Sequence, residues 1–566
     1  MSQVEVDKII PQSGTTLTVG DSGDTVTFTS GANLSVDGTI KLDGNYPTGT
    51  ENVALGNTAL DSVQSGGNYN VAIGSSSLTT LTTGDNNTAV GFESLKVNTA
   101  NNNTAIGWCS MVANTSGASN TAIGLGSLDA NTTGGDNVAV GVSALSGNTT
   151  GDNNTAVGHR ALIAATTANN NTALGRDTAC AVTTGLQNIA IGNCALSTNT
   201  EAHNNVAVGF CSLKSSTTGT LNVAMGSFSA EDTTTGQQNV SIGYRSMCDS
   251  TTGSYNTAVG ACTLQAVNTG DNNVAIGRKA MFDNTSGGCN TAVGNDSLGN
   301  NTTGLRNTAV GLAAALCNTS GCDNTAIGRC AAKLTTTGGC NTSVGTDSFV
   351  FNTTGACNVA VGKFALYKST TSSCNVAIGH EAGACNTTGF RNTYIGLGAG
   401  HNATTPEGNT FVGRLAGCNA GTGNSNTALG ISAGVDAVKN ITGTDTHQLV
   451  LGNNGTTNAY IKVAFTVTSD LRDKTEIEDV PHGLDFVSKL NPIKYRFKKS
   501  RANPIGTGMK KYGFSAQEIL ELEGDNNVII DNHDTENLKL TELHLVPVLV
   551  NAIKELKARI EVLENE

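Results

Sequence analysis

The chain has 566 residues, with 4% aromatics, 14% charged residues and a formal net charge of −13. That length exceeds what one compact domain ordinarily holds, so more than one structural unit is expected. The acidity excludes a general nucleic-acid binder, and no apolar stretch is long enough for insertion across a bilayer.

The opening residues Met1 to Asp7 are polar and acidic, so no secretory signal is expected there. Within residues 1–50, Thr15–Gly20 and Thr25–Thr29 alternate polar and apolar side chains on either side of Asp21-Ser22-Gly23-Asp24. That pattern predicts strand, turn and strand. The segment resembles the N-terminal part of marine phage tail-fibre proteins, and the resemblance implies attachment to the virion tail or baseplate through this end.

Residues 51–434 are an array. Asn-x-Ala-aliphatic-Gly starts at Asn52, Asn70, Asn87 and Asn103, then recurs every 17 residues from Asn120 to Asn426, for 23 copies in all, with Ser241, Ser343, Tyr394 and Phe411 in place of the Ala. A strict period means one structural unit stacked many times. With Asn as position 0, +3 is always aliphatic, +4 always Gly, and +7 Ala, Ser or Thr. Position +8 is mostly Leu, Met or Ala but becomes Gly at Gly383, Gly400, Gly417 and Gly434. Most copies close with a polar turn such as Asn131-Thr132-Thr133-Gly134.

Seventeen residues are too few for a helical-hairpin repeat. Thr/Val-Ala-Val/Ile suits a strand, and Gly at +4 allows a positive φ or a close backbone approach. The expectation is two short strands per coil, with like residues stacked into ladders. One coil buries about two aliphatic side chains and cannot fold alone, so stability accumulates through neighbour interfaces. At about 4.8 Å per coil the array would run to about 110 Å. The motif resembles the head repeat of trimeric autotransporter adhesins, which implies a parallel β-roll with three chains side by side. Seventeen residues is long for those heads, so the second turn is expected to protrude.

Residues 435–468 break the period and end in Ile461–Val467, read as a strand of a distal connector. The character of the chain then changes. Residues 469–566 carry 14 Lys/Arg and 18 Asp/Glu, about a third of that segment. Its motifs follow in order: Ser469-Asp470-Leu471-Arg472-Asp473-Lys474, Leu490–Phe497, Gly513-Phe514-Ser515-Ala516-Gln517-Glu518, and a final helix from about residue 541. Together they resemble the intramolecular chaperone domain of endosialidases and phage tail spikes. The resemblance implies a small α+β domain that drives trimerisation and cuts the chain between Thr468 and Ser469. Ser469 would be the nucleophile and Lys474 its base, while Asp470, Arg472, Gly513, Phe514, Gln517 and Glu518 belong to the family's motifs. A serine hydroxyl needs a neighbour to take its proton, and a lysine serves only when burial lowers its pKa. The plainer reading makes Ser469-Asp470 a helix N-cap and Lys474 a solvated charge.

In the last helix Val546, Leu549, Ile553, Leu556, Ile560 and Leu563 are spaced as a heptad seam. β-Branched residues at a with Leu at d favour two strands, whereas the resemblances imply three. Glu555, Arg559 and Glu561 read as flanking solvated charges.

All 15 Cys lie in the array without zinc spacing. Cys340, Cys357 and Cys374 share one phase and are expected to stack. They read as small ladder residues in a reducing cytosol, with a disulfide or metal role as the alternative. No cofactor and no metal site is expected.

The expected protein is a homotrimeric β-roll fibre of a phage virion. It would be made in the host cytoplasm and bind a host-surface receptor, glycan or protein, without nucleic acid. The alternatives are a polysaccharide-degrading tail spike and an uncleaved trimeric adhesin. A depolymerase needs paired carboxylates at a sugar groove, and the array has few acids and Trp108 as its one Trp. A Thr-ladder surface or ice-binding protein is a third class.

Overall fold

The chain is described from a computed structural model covering residues 49–565, apart from 267–268, 437–438, 457–459, 461, 463–468, 501–502, 525–526, 534 and 537. The expected N-terminal strands, the Ile461–Val467 strand and Thr468 lie outside the described residues.

The array is a parallel β-solenoid, and each of its 23 copies contributes one three-residue strand, from β1 (Val53–Leu55) to β23 (Thr427–Leu429). Every strand pairs in register with the next copy, as in Val138↔Thr155, Ala139↔Ala156 and Val140↔Val157. The stack takes one further rung, β24 (Leu449–Leu451), on β23.

The expectation of two strands per coil is corrected: the second half of each coil is turn. Its cause is a set of left-handed residues. In one coil Ser143, Leu145 and Asn153 have φ of 54°, 51° and 58°, and a strand cannot continue through such residues. Gly at +4 satisfies both readings made for it. Gly141 has φ 134°, and a Cβ there would stand 2.5 Å from the carbonyl oxygen of Gly158 in the next coil. No side chain fits that approach.

The core is thin. Position +2 Ala and position +8 Leu or Met point inward, as with Ala139, Leu145 and Met281, all buried. The Asn ladder encloses them. Each Asn Oδ1 accepts from the backbone N–H of the next Asn, as Asn154 N–H donates to Asn137 at 2.9 Å. Its Nδ2 donates across its own coil, as Asn137 does to the Gly151 carbonyl at 2.8 Å. The second turn does not protrude. Its first Asn is buried and forms another ladder, with Asn148 Nδ2 donating to Asn131 Oδ1 at 2.8 Å and to the Gly151 carbonyl at 3.0 Å. The following Thr hydroxyls donate coil to coil, as Thr149 does to the Thr166 carbonyl at 3.0 Å. Buried polar side chains demand partners, and where the Asn recurs the 17-residue step supplies an identical one on the neighbouring coil; Ala165 and Val182 interrupt the second ladder, and Asn148 Oδ1 has no partner among the described residues.

Near the distal end the filling changes. Tyr394 and Phe411 replace Ala at +2, are fully buried, and lie 5.9 Å apart between ring centroids. Gly at +8 makes room for them: a Cβ on Gly417 would stand 2.5 Å from the Phe411 ring, and one on Gly400 would fall inside the Tyr394 ring contact.

The C-terminal region is a small α/β unit. A hairpin of β25 (Ile493–Ser500) and β26 (Asn503–Gly513) leads into α1 (Ala516–Glu523). The short pair β27 (Ile530–Asp531) and β28 (Lys539–Leu540) then precedes the final helix α2 (Leu545–Glu564). Phe486, Ile519, Ile529, Ile530, Leu545 and Val548 form its core.

Candidate functional site

The site begins at Ser469, beyond the last solenoid rung at Leu449–Leu451. Leu471–Asp473 make one turn of 3-10 helix. Asp470 caps it, its side chain accepting from the Arg472 N–H at 2.9 Å. The Arg472 guanidinium returns to both carboxylate oxygens, at 3.1 Å from Nε and 2.6 Å from Nη2. The Arg472 partner and the capping N–H hold the Asp470 carboxyl below its ordinary range, and Asp470 in turn raises the Arg472 guanidinium. The turn closes as Lys474 N–H donates to the Leu471 carbonyl at 3.2 Å.

That one turn brings residues five apart together. Lys474 Nζ donates to Ser469 Oγ at 2.7 Å. The N-cap reading of this sequence is therefore correct for Asp470, and the cap places Ser469 and Lys474 in contact. Both side chains are exposed, so in the single chain the described residues do not strip water from the lysine.

The remaining motif residues serve the scaffold. Gly513 ends β26 and is buried, where a Cβ would meet the Tyr495 ring at 3.0 Å. Ser515 caps α1, accepting from the Glu518 N–H at 3.4 Å. Phe514 packs on the core, and Gln517 and Glu518 are exposed. Among the described residues no hydrogen bond or ion pair links Gly513, Phe514, Gln517 or Glu518 to Ser469 or Lys474.

Two acidic residues carry more than sequence reasoning assigned. Glu555 is not merely a solvated flanking charge. It is half-buried, and its Oε2 accepts from the Leu484 N–H at 2.7 Å, tying α2 to the segment that follows the site. Gly483 leaves room for that carboxylate. Glu523, buried at the end of α1, accepts from the N–H groups of Val528, Ile529 and Ile530 at 3.0, 2.7 and 3.0 Å. Only the fold reveals these contacts, because nothing local marks either residue.

Two apolar surfaces lack cover in the single chain. Helix α2 turns Leu545, Val548 and Ala552 inward, so the heptad residues Val546, Leu549, Ile553, Leu556, Ile560 and Leu563 are all exposed. Along the solenoid the invariably aliphatic +3 position points outward, with Ile73 38%, Leu174 46% and Met225 43% exposed. Among the described residues no three or more His, Cys, Asp or Glu are grouped to hold a metal ion, and no helix is long and apolar enough to cross a membrane.

A long parallel β-solenoid followed by a small α/β unit is the architecture of a fibre with a C-terminal folding domain. Residues 469–529 match the family described as chaperone of endosialidase, and the match begins at Ser469. The solenoid and this region together fit a tail fibre with a C-terminal chaperone domain. Neither a curated protein nor a solved structure matches the chain.

Proposed function

We propose that this chain is a subunit of a homotrimeric phage tail fibre that attaches to a host surface, and that its C-terminal domain drives trimerisation and then releases itself. The observation that carries this reading is the position of the Ser469–Lys474 contact, at the first residue of the chaperone match and C-terminal to the solenoid.

Trimerisation rests on the two uncovered surfaces. A position kept aliphatic in 23 copies yet turned outward gains stability only when covered. Three chains packed along the +3 stripe would cover it, and the exposed seam of α2 would continue the axis as a short coiled coil. Attachment rests on the rod itself, with the variable +5 and +6 side chains offered to a glycan or protein receptor and the N-terminal end held at the virion.

For release, Ser469 Oγ attacks the Thr468 carbonyl carbon. The Oγ–C bond forms as the Thr468–Ser469 C–N bond breaks. Lys474, once neutral, takes the hydroxyl proton and passes it to the departing amine, and water then hydrolyses the ester. Burial is what lets a lysine act as a base, and Lys474 is exposed in the single chain, so this step waits until partner chains desolvate it. Cleavage would thereby report completed assembly.

Intact mass and denaturing electrophoresis of the wild type and Ser469→Ala test the reading. The expected result is two pieces ending at Thr468 and beginning at Ser469 in the wild type, with the variant whole. An uncut wild type of trimeric native mass would remove the release step and leave a permanent trimer cap.

A further inference from the structure

Most of the 15 cysteines are partly or wholly covered; Cys289, Cys340, Cys357 and Cys374 are exposed, and the last three fall on adjacent coils. Those three occupy the same place, just before the ladder Asn, on three successive coils. Their backbones match, with φ of 57°, 59° and 59°. Each is tied down by a coil-to-coil hydrogen bond, from Cys340 N–H to the Cys322 carbonyl at 2.9 Å, Cys357 to Gly339 at 3.1 Å and Cys374 to Ala356 at 3.0 Å. Cys357 sits between the other two, one coil from each. Coils in such a stack are about 4.8 Å apart, inside the Cα window of a disulfide. Residues two coils apart, at about 9.6 Å, fall outside that window.

We propose that these three cysteines form an oxidation site on the shaft, at which a peroxide-class oxidant joins Cys357 to one neighbour and leaves the third thiol free. One thiolate takes an oxygen atom from the peroxide to give a sulfenic acid, releasing hydroxide. The adjacent thiolate attacks that sulfur, the S–S bond forms, and a second hydroxide leaves; with the two thiol protons the products are a disulfide and two waters. Two electrons pass from the pair of sulfurs to the peroxide.

The central position decides the outcome, because every allowed link includes Cys357. Partial desolvation and the flanking thiols push the Cys357 thiol up. Thiols stay reduced in a cytosol and oxidise outside it, so the link would form after the protein leaves the cell that makes it. This inference concerns the shaft and does not depend on cleavage at Ser469.

The test is peroxide treatment of the full-length chain, alkylation of the remaining thiols and peptide mapping. Asp347 and Lys363 provide cleavage points between the three cysteines. In the wild type two of the three should be lost to an intrachain link that contains Cys357. Cys340→Ser should leave only the 357–374 link, and Cys374→Ser only the 340–357 link. Cys357→Ser should leave both end thiols free to alkylate, with unchanged circular dichroism showing that the solenoid still folds. A 340–374 link in Cys357→Ser, links between chains, or three alkylated thiols in the treated wild type would overturn the proposal.

Discussion

Exchanging the partners at one rung of the core separates a steric from a conformational reason for the distal glycines. Gly383, Gly400 and Gly417 have φ of 58°, 60° and 56°, while Leu145 and Leu162 adopt 51° and 52° at the same position. A left-handed backbone therefore does not by itself require glycine here. The Tyr394 ring does, because it fills the space a +8 side chain would take. Gly400→Leu should overpack and cost at least about 1–3 kcal/mol. Tyr394→Ala should open a cavity and cost about 3–5 kcal/mol. The double variant recreates the Ala and Leu pair of the other coils. It should cost less than the sum of the singles by about 2–3 kcal/mol, the upper range of coupling between touching residues. Some loss persists, because Tyr394 also packs on Gly383 and Phe411. Native-state hydrogen exchange at Thr393, Gly396 and Gly400 reads local opening, and each 1.4 kcal/mol is about tenfold in rate. Additive costs would refute the steric argument and return the explanation to backbone conformation.

Glu523→Ala should strip three N–H groups of their acceptor and cost at least about 3 kcal/mol, seen as faster exchange at Val528, Ile529 and Ile530 with the solenoid unaffected. Leu556→Asp places a charge on the exposed seam of α2, so native mass should fall from trimer toward monomer while circular dichroism of the monomer is unchanged; a persistent trimer would assign assembly to the solenoid stripe alone. The Asp470 carboxyl is held low by Arg472, so its contribution is complete above the ordinary carboxylate value of about 3.9 and is lost as pH falls through the lowered one. Arg472→Ala should return that titration toward about 3.9 by NMR, and an unmoved titration would show that the capping N–H alone sets it.

The 17-residue period is enough to establish a parallel stacked coil, because register is the repeat itself and each residue meets its own kind one coil away. The Gly at +4 and the Asn at 0 were legible for the same reason. The Ser469–Lys474 pairing was visible as a motif, since both residues lie within one turn and the cap is local. The tertiary structure decided what depends on direction and on distant chain. Left-handed residues at −1, +6 and +8 have side chains that look ordinary in sequence, so the missing second strand and the inward second turn could not be read from them. Residue type likewise does not say which face an aliphatic side chain takes, and +3 proved to point outward. Glu555 and Glu523 are ordinary acids in sequence. Their roles exist only because folding brings them against backbone N–H groups: those of Val528–Ile530 for Glu523, and one 71 residues away for Glu555.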